Sequence, residues 1–186
     1  KSDCRILFLS SSNVFDSFKH YPSYEYDKTF SESIFGRFKI KIENELMRLP
    51  TGKFIIARLP MIFGLNAPRT IEIDKAIKNN KIIEVFPNSI INVNSDIRLS
   101  QQIHYLINHK KTGLFHLGST DLISHFDFIK NIVKRRHHTP GIFKHIYSSN
   151  TIRYIATLPK VNRLPSHILP SYLDVLDDLS IKQTSN

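Results

Sequence analysis

An α/β fold with a largely parallel sheet is predicted by three features of the sequence. Short apolar runs alternate with amphipathic stretches, polar loops follow the apolar runs, and proline, glycine and asparagine sit between successive units. The apolar runs are far shorter than the roughly 20 residues of a membrane-spanning helix, and no membrane partner is expected.

Cys4 to Leu9 reads as a buried strand that opens into the polar loop Ser10-Ser11-Ser12-Asn13, the position past a strand's C-terminal end where α/β sheets bind ligands. A loop rich in tyrosine, serine and phenylalanine runs to about Thr29. Ser31 or Ser33 then caps a helix that reaches about Leu49 and is stopped by Pro50-Thr51-Gly52. Ile34, Phe38, Ile42 and Leu46 recur every four residues, so this helix is expected to bury that stripe. Lys53 to Leu59 is the next strand, and Met61 to Pro68 reads as the loop after it.

Beyond this strand-helix-strand unit, the pattern predicts a helix over 70–79, a strand over 81–86, a short strand over 90–93 and a helix over 95–109. A strand over 112–118 and a helix capped by Ser124 and ending near Arg136 follow. From Thr139 onward four prolines predict extended chain, then a last amphipathic helix over 171–181 and a frayed tail at 184–186.

The 186 residues suffice for one domain with its own core, and 41% are hydrophobic. A single cysteine, Cys4, excludes an internal disulfide framework and points to a reducing compartment, the cytoplasm. The first residues carry no signal-peptide pattern, and this is expected to be a piece of a longer chain. The net charge of +10 favours anionic partners. Nucleic acid is not expected, because many aromatic residues lie in apolar runs rather than interleaved with basic ones. The basic run Lys134 to His138 is expected to be a solvated helix end that complements the dipole. None of the six glycines forms a G-x-G-x-x-G or P-loop cradle. The spacing of His104, His109, His137 and His138 suits no metal site.

Four segments carry a resemblance: Leu9-Ser10-Ser11-Ser12-Asn13-Val14-Phe15-Asp16, Glu25-Tyr26-Asp27, Phe35-Gly36-Arg37-Phe38-Lys39, and Arg58-Leu59-Pro60-Met61-Ile62-Phe63-Gly64. In order and spacing they resemble the extended short-chain dehydrogenase/reductases, in the branch of dTDP-4-dehydrorhamnose reductase and its sugar-nucleotide-binding relatives. The corresponding family segments read S-T-D-Y-V-F, E-T-D, Y-G-x-[ST]-K and R-x-x-x-V-Y-G. Gly113 to Ser119 and the helix start at Ser124 to Phe128 also look like family elements.

The resemblance implies a partial Rossmann-like parallel sheet in residues 1–68, the C-terminal half of that fold. It implies a small α/β substrate-binding region in 69–186, with the N-terminal half that holds NADP(H) absent. Ser11 takes the place of the hydroxyl that orients the substrate carbonyl. Lys39 takes that of the lysine that binds the cofactor ribose and lowers the pKa of the catalytic tyrosine, and Phe35 stands where that tyrosine belongs. On periodicity alone, Phe35 and Lys39 also fit a core aromatic and a solvent-facing lysine.

The reaction needs a proton donor, which a phenyl ring cannot be; of the nearby tyrosines, Tyr21, Tyr24 and Tyr26 are the conceivable substitutes. Ser12 and Asn13 replace an aspartate and a tyrosine of the first motif. By resemblance Ser12, Asn13, Arg58, Asn66, Arg69 and Arg98 contact the sugar nucleotide, guanidinium groups suiting its diphosphate; each arginine could equally pair with a nearby carboxylate. The expected chain is therefore the sugar-nucleotide-binding portion of a ketosugar reductase, inactive alone and not binding NADP(H) tightly. The alternative is a non-catalytic regulatory protein with a protein partner, for which the methionine adenosyltransferase regulatory subunit is a family precedent.

Overall fold

The structure, a computed structural model, describes residues 4–16, 20–147 and 150–180. In chain order the elements are β1 (Ile6–Ser11), α1 (Ile34–Met47), β2 (Phe54–Leu59), β3 (Met61–Phe63), α2 (Pro68–Lys78), β4 (Ile83–Val85), β5 (Ser89–Ile91), β6 (Val93–Ser95), α3 (Asp96–Asn108), β7 (Gly113–His116), β8 (Ile123–Ser124), α4 (His125–His137), β9 (Phe143–His145), β10 (Arg153–Ile155) and α5 (Tyr172–Ser180). The fold is α/β, with parallel strands, as the sequence predicts.

β1, β2 and β7 form a parallel sheet in that order, with Ile6 opposite Phe54 and Ser11 opposite Leu59. Parallel strands need both faces covered, and their near-continuous apolar sequence reflects this. On one face Phe54, Ile56 and Leu114 pack with Leu46 of α1; on the other Ile55, Ala57 and Phe115 pack with Leu106 of α3. A second core joins Phe63, Ile73, Val85 and Val93 to Phe128 and Ile132 of α4 and Val175 and Leu176 of α5. Met61 to Phe63 is thus not loop. It pairs in parallel with Val93 to Ser95 as β3 against β6, because its apolar side chains have a core to enter. The extended stretch after Thr139 contributes β9 and β10, paired in parallel with β4 and β5. The expected tail at 184–186 and the last residue of the expected C-terminal helix lie outside the described residues.

The helix caps follow the sequence: Ser33, Ser95 and Ser124 each accept a bond from the backbone N–H three residues on. The buried stripe expected of α1 does not form. Ile34 is 80% exposed and Phe38 58%, whereas the residues α1 buries are Gly36, Glu43 and Leu46. The reason is a polar anchor. Glu43 accepts from Arg58 Nη2 at 2.7 Å and from Arg58 Nε at 3.0 Å, and Ser10 Oγ donates to it at 2.5 Å. Arg58 is 2% exposed and Glu43 1%, so this pair, not the apolar stripe, sets the roll of the helix.

The same guanidinium donates to the Glu25 carbonyl and to Nε2 of His116, and lies 4.8 Å from the Phe15 ring centre. The buried Glu25 carboxylate accepts from the backbone N–H groups of Lys160, Val161 and Asn162, tying the loop before α1 to the C-terminal segment. Elsewhere the basic end of α4 is less solvated than expected. Arg136 and His137 both grip Asp74 of α2, and Arg135 pairs with Asp177. Burial pulls the Asp74 carboxyl upward, but the Arg136 and His137 bonds outweigh it and hold it below its ordinary value.

Glu43→Ala would leave Arg58 buried and uncompensated, so it lowers unfolding stability by about 3–5 kcal/mol. Arg48→Ala, which breaks an exposed pair with Glu45, costs about 0.5 kcal/mol. Urea unfolding of the two variants gives the comparison; equal losses would mean that the interior pair does not anchor the helix.

Candidate functional site

Two groups of candidate residues lie in different places. The first surrounds the C-terminal end of β1. Ser11 caps the 3-10 turn Ser12–Phe15 by accepting from Asn13 N–H, and its own hydroxyl donates to Asn13 Oδ1 at 3.1 Å. Gly36 lets α1 approach this turn: a Cβ there would lie 2.0 Å from Ser31 Oγ and 2.5 Å from the Asn13 carbonyl oxygen. Ser12 is buried and Asn13 exposed.

Lys39 neither faces solvent freely nor holds an open position. Its Nζ donates to the Leu9 carbonyl at 2.8 Å and sits 4.7 Å from the Phe8 ring centre and 5.4 Å from that of Phe35. Phe35 is 52% exposed, so it is not a core aromatic. Its ring provides a face for a cation and no proton. Tyr21 and Tyr26 are exposed, and the Tyr24 ring lies beneath Lys160.

The arginines expected to meet a diphosphate part company. Arg58 is interior, its donors spent on Glu43, Glu25 and His116, and it presents no surface to a ligand. Arg98 donates from Nε to Asp178 at 2.7 Å and lies 3.7 Å from Asp174, clasping α5. Asn66 and Arg69 remain exposed, on the loop after β3 and in the first turn of α2.

That turn forms the second group. The N-cap of α2 is Ala67, which offers no side-chain cap, and Pro68 at the first position has no N–H. The turn therefore presents the N–H groups of Arg69 and Thr70 at the positive end of the helix dipole. The Thr70 hydroxyl in the same turn is fully buried and has no hydrogen-bond partner.

Beside it is a cleft of about 310 Å³ whose lining includes Phe63, Arg69, Ile73, Glu84, Phe86 and His125. His125 Nδ1 accepts from the Phe86 N–H at 3.3 Å. Burial, and then the charge of Arg69, push its pKa from 6.5 to about 4. Uncapped backbone donors, a free guanidinium and a half-apolar cleft suit an anion attached to a flat or apolar group.

Sequence reasoning found Asn66 and Arg69 but missed Phe86, His125 and Thr70. One signal was present: Ala67-Pro68 begins a helix without serine, threonine, aspartate or asparagine at its cap. His125 was visible only as part of a helix start. Glu43, one turn beyond Lys39, was passed over because a carboxylate amid lysines reads as solvated surface.

Residues 1–166 match the family model of the RmlD substrate binding domain. No curated protein matches the chain. Among solved structures, a dTDP-4-dehydrorhamnose reductase from Yersinia enterocolitica is 23% identical, with a TM-score of 0.79 over 95% of this chain and 64% of its own. That of Bacillus anthracis, solved with NADP, is 18% identical, with a TM-score of 0.80 over 94% and 64%. A UDP-N-acetylglucosamine 4-epimerase from Methanobrevibacter ruminantium, in complex with UDP-N-acetylmuramic acid, is 14% identical, with a TM-score of 0.74 over 95% and 60%. The chain thus spans less than two thirds of the length of these proteins.

His116 resembles His125 in charge state: burial, then Arg58, bring its pKa from 6.5 to about 4. Both imidazoles are neutral when folded, while the unfolded chain takes up these protons below about pH 6.5. Stability is therefore full above pH 6.5, falls as pH drops toward about 4, and levels off below for these two groups. Urea midpoints across that window should show the fall, with a shallower slope for His125→Gln; a flat profile would contradict the assignment.

Proposed function

Because the chain belongs to the RmlD substrate binding domain family, we propose that it is the sugar-nucleotide-binding portion of a dTDP-4-dehydrorhamnose reductase-like protein. The observation that carries this reading is the uncapped start of α2 beside a cleft. A dTDP-sugar-like ligand would set its diphosphate against the N–H groups of Arg69 and Thr70, with the Arg69 guanidinium and Asn66 at its side. The rest of the ligand would enter between Phe63, Phe86 and Ile73. In this reading residues 1–68 are the second half of a Rossmann-like sheet and 69–186 the substrate-binding region.

This chain alone does not reduce a ketosugar. Reduction of a 4-keto sugar nucleotide needs hydride from NADPH and a proton for the carbonyl oxygen. Ser11 could orient that carbonyl, but Phe35 has no proton to give. The residues present do not fit the dinucleotide either. Lys39 is engaged by the Leu9 carbonyl, and among the glycines Gly36 and Gly64 already serve tight contacts with Ser31 and Asp96 rather than a phosphate loop. The departures at Ser12, Asn13 and Phe35, with the exposed apolar face of α1, favour as second reading a non-catalytic binding protein of the same fold.

Calorimetry with a dTDP-sugar and, separately, with NADPH tests the first reading. The sugar nucleotide should bind and NADPH should not, and Arg69→Ala should weaken the former about tenfold or more, as expected for a lost charged contact. Unchanged affinity in Arg69→Ala, or no binding of the dTDP-sugar, would sink the assignment. Phe35→Tyr should leave this chain without NADPH oxidation in the presence of a 4-keto sugar nucleotide; turnover would show that one hydroxyl was all it lacked.

A further inference from the structure

The strand β1 lies at the edge of its sheet, hydrogen-bonded to β2 on one side and to no described strand on the other. Exposed edges are ordinarily blunted by charge, proline or a bulge, because unpaired N–H and C=O groups recruit other strands. The sequence of β1, Ile-Leu-Phe-Leu-Ser-Ser, has no charge and no proline. Ile6 and Leu9 are 46% and 40% exposed along it.

The outer face of α1 continues this edge. Ile34, Phe35, Phe38 and Ile42 fall on one side of the helix, at the spacing that covers an apolar partner, and the first three are more than half exposed. The Lys39 ammonium, between the Phe8 and Phe35 rings and bonded to the Leu9 carbonyl, joins strand and helix into one surface. Arg5, Arg37 and Lys41 border it, and Glu43 and Glu45 do not offset them, being paired with Arg58 and Arg48.

We propose that the open edge of β1 and the apolar stripe of α1 are one docking surface for a β-strand and its accompanying helix. That unit comes from polypeptide outside these residues and is acidic where it meets Arg5, Arg37 and Lys41. The strand continues the sheet by main-chain pairing with β1, and the helix covers Ile34, Phe35, Phe38 and Ile42. Two features select this occupant over a second copy of the chain. The bordering charge is positive, and the whole chain carries +10, so a copy brings like charge to like. The structural neighbours, moreover, are longer than the part this chain matches, which is 64% of the Yersinia enterocolitica protein. The proposal rests on reading the chain as a portion of a larger fold, and it stands apart from sugar-nucleotide binding at α2.

The test uses the 186-residue chain, a short peptide of alternating valine and threonine with glutamates at both ends, and the same peptide with lysines there. Hydrogen exchange of the β1 amides, sedimentation velocity and dTDP-sugar binding are read on the same samples. The free chain should be monomeric with rapidly exchanging β1 amides. The glutamate-ended peptide should slow their exchange, and Arg37→Glu with Lys41→Glu should weaken that protection about tenfold.

Equal protection by the lysine-ended peptide, or none by either, would overturn the proposal. A dimer dispersed by Phe38→Glu would overturn it in favour of a second copy, and β1 amides already protected in the monomer would show the edge to be closed by the chain itself. Loss of dTDP-sugar binding with the peptide result intact would instead strike only the reading of the α2 cleft.

Discussion

The pair formed by Glu43 and Arg58 organises this chain. A charge removed from water is tolerated only when it is paired and its remaining donors and acceptors are met, and here the requirement spreads through the fold. Arg58 sits on the central strand of the sheet, Glu43 on the helix that covers it, Ser10 on the edge strand, and Glu25 and His116 on the connections around them. Glu25 passes the constraint on by gathering three backbone N–H groups of the C-terminal segment. The roll of α1, the place of Lys39 and the path of residues 158–162 follow from one buried ion pair.

The sequence was informative where periodicity and caps act locally. Ser33, Ser95 and Ser124 cap the helices they announce, and the parallel strands read as apolar runs because both faces are covered. It misled where a polar interaction overrode periodicity. Ile34, Phe38 and Ile42 describe a stripe correctly, but it faces away from the sheet, since Glu43 must face Arg58. Arg58 and Arg98 look alike in sequence to Arg69, and only the fold shows that two have carboxylate partners while the third stands at an uncapped helix start. No single-chain pattern could have separated them, because their partners are 15, 80 and, for Arg69, no residues away among the described ion pairs.

The two halves of the ancestral site have fared differently. At the end of β1 the phenol is gone and the lysine is turned to a backbone carbonyl and two aromatic rings, an arrangement that stabilises the strand-helix junction. At the start of α2 the donors are unspent: two N–H groups, a buried hydroxyl and a guanidinium. Binding chemistry thus outlasts reaction chemistry here, because the first depends on a helix end within this chain and the second on groups it does not carry.

The most direct measurement is an amide NMR titration of the isotope-labelled chain with dTDP. The account predicts that the largest shifts fall on Arg69 and Thr70, with Phe86 and His125 following, and that Ser11 to Asn13 and Lys39 stay still. Shifts centred on Ser11 to Lys39, or none at α2, would contradict it.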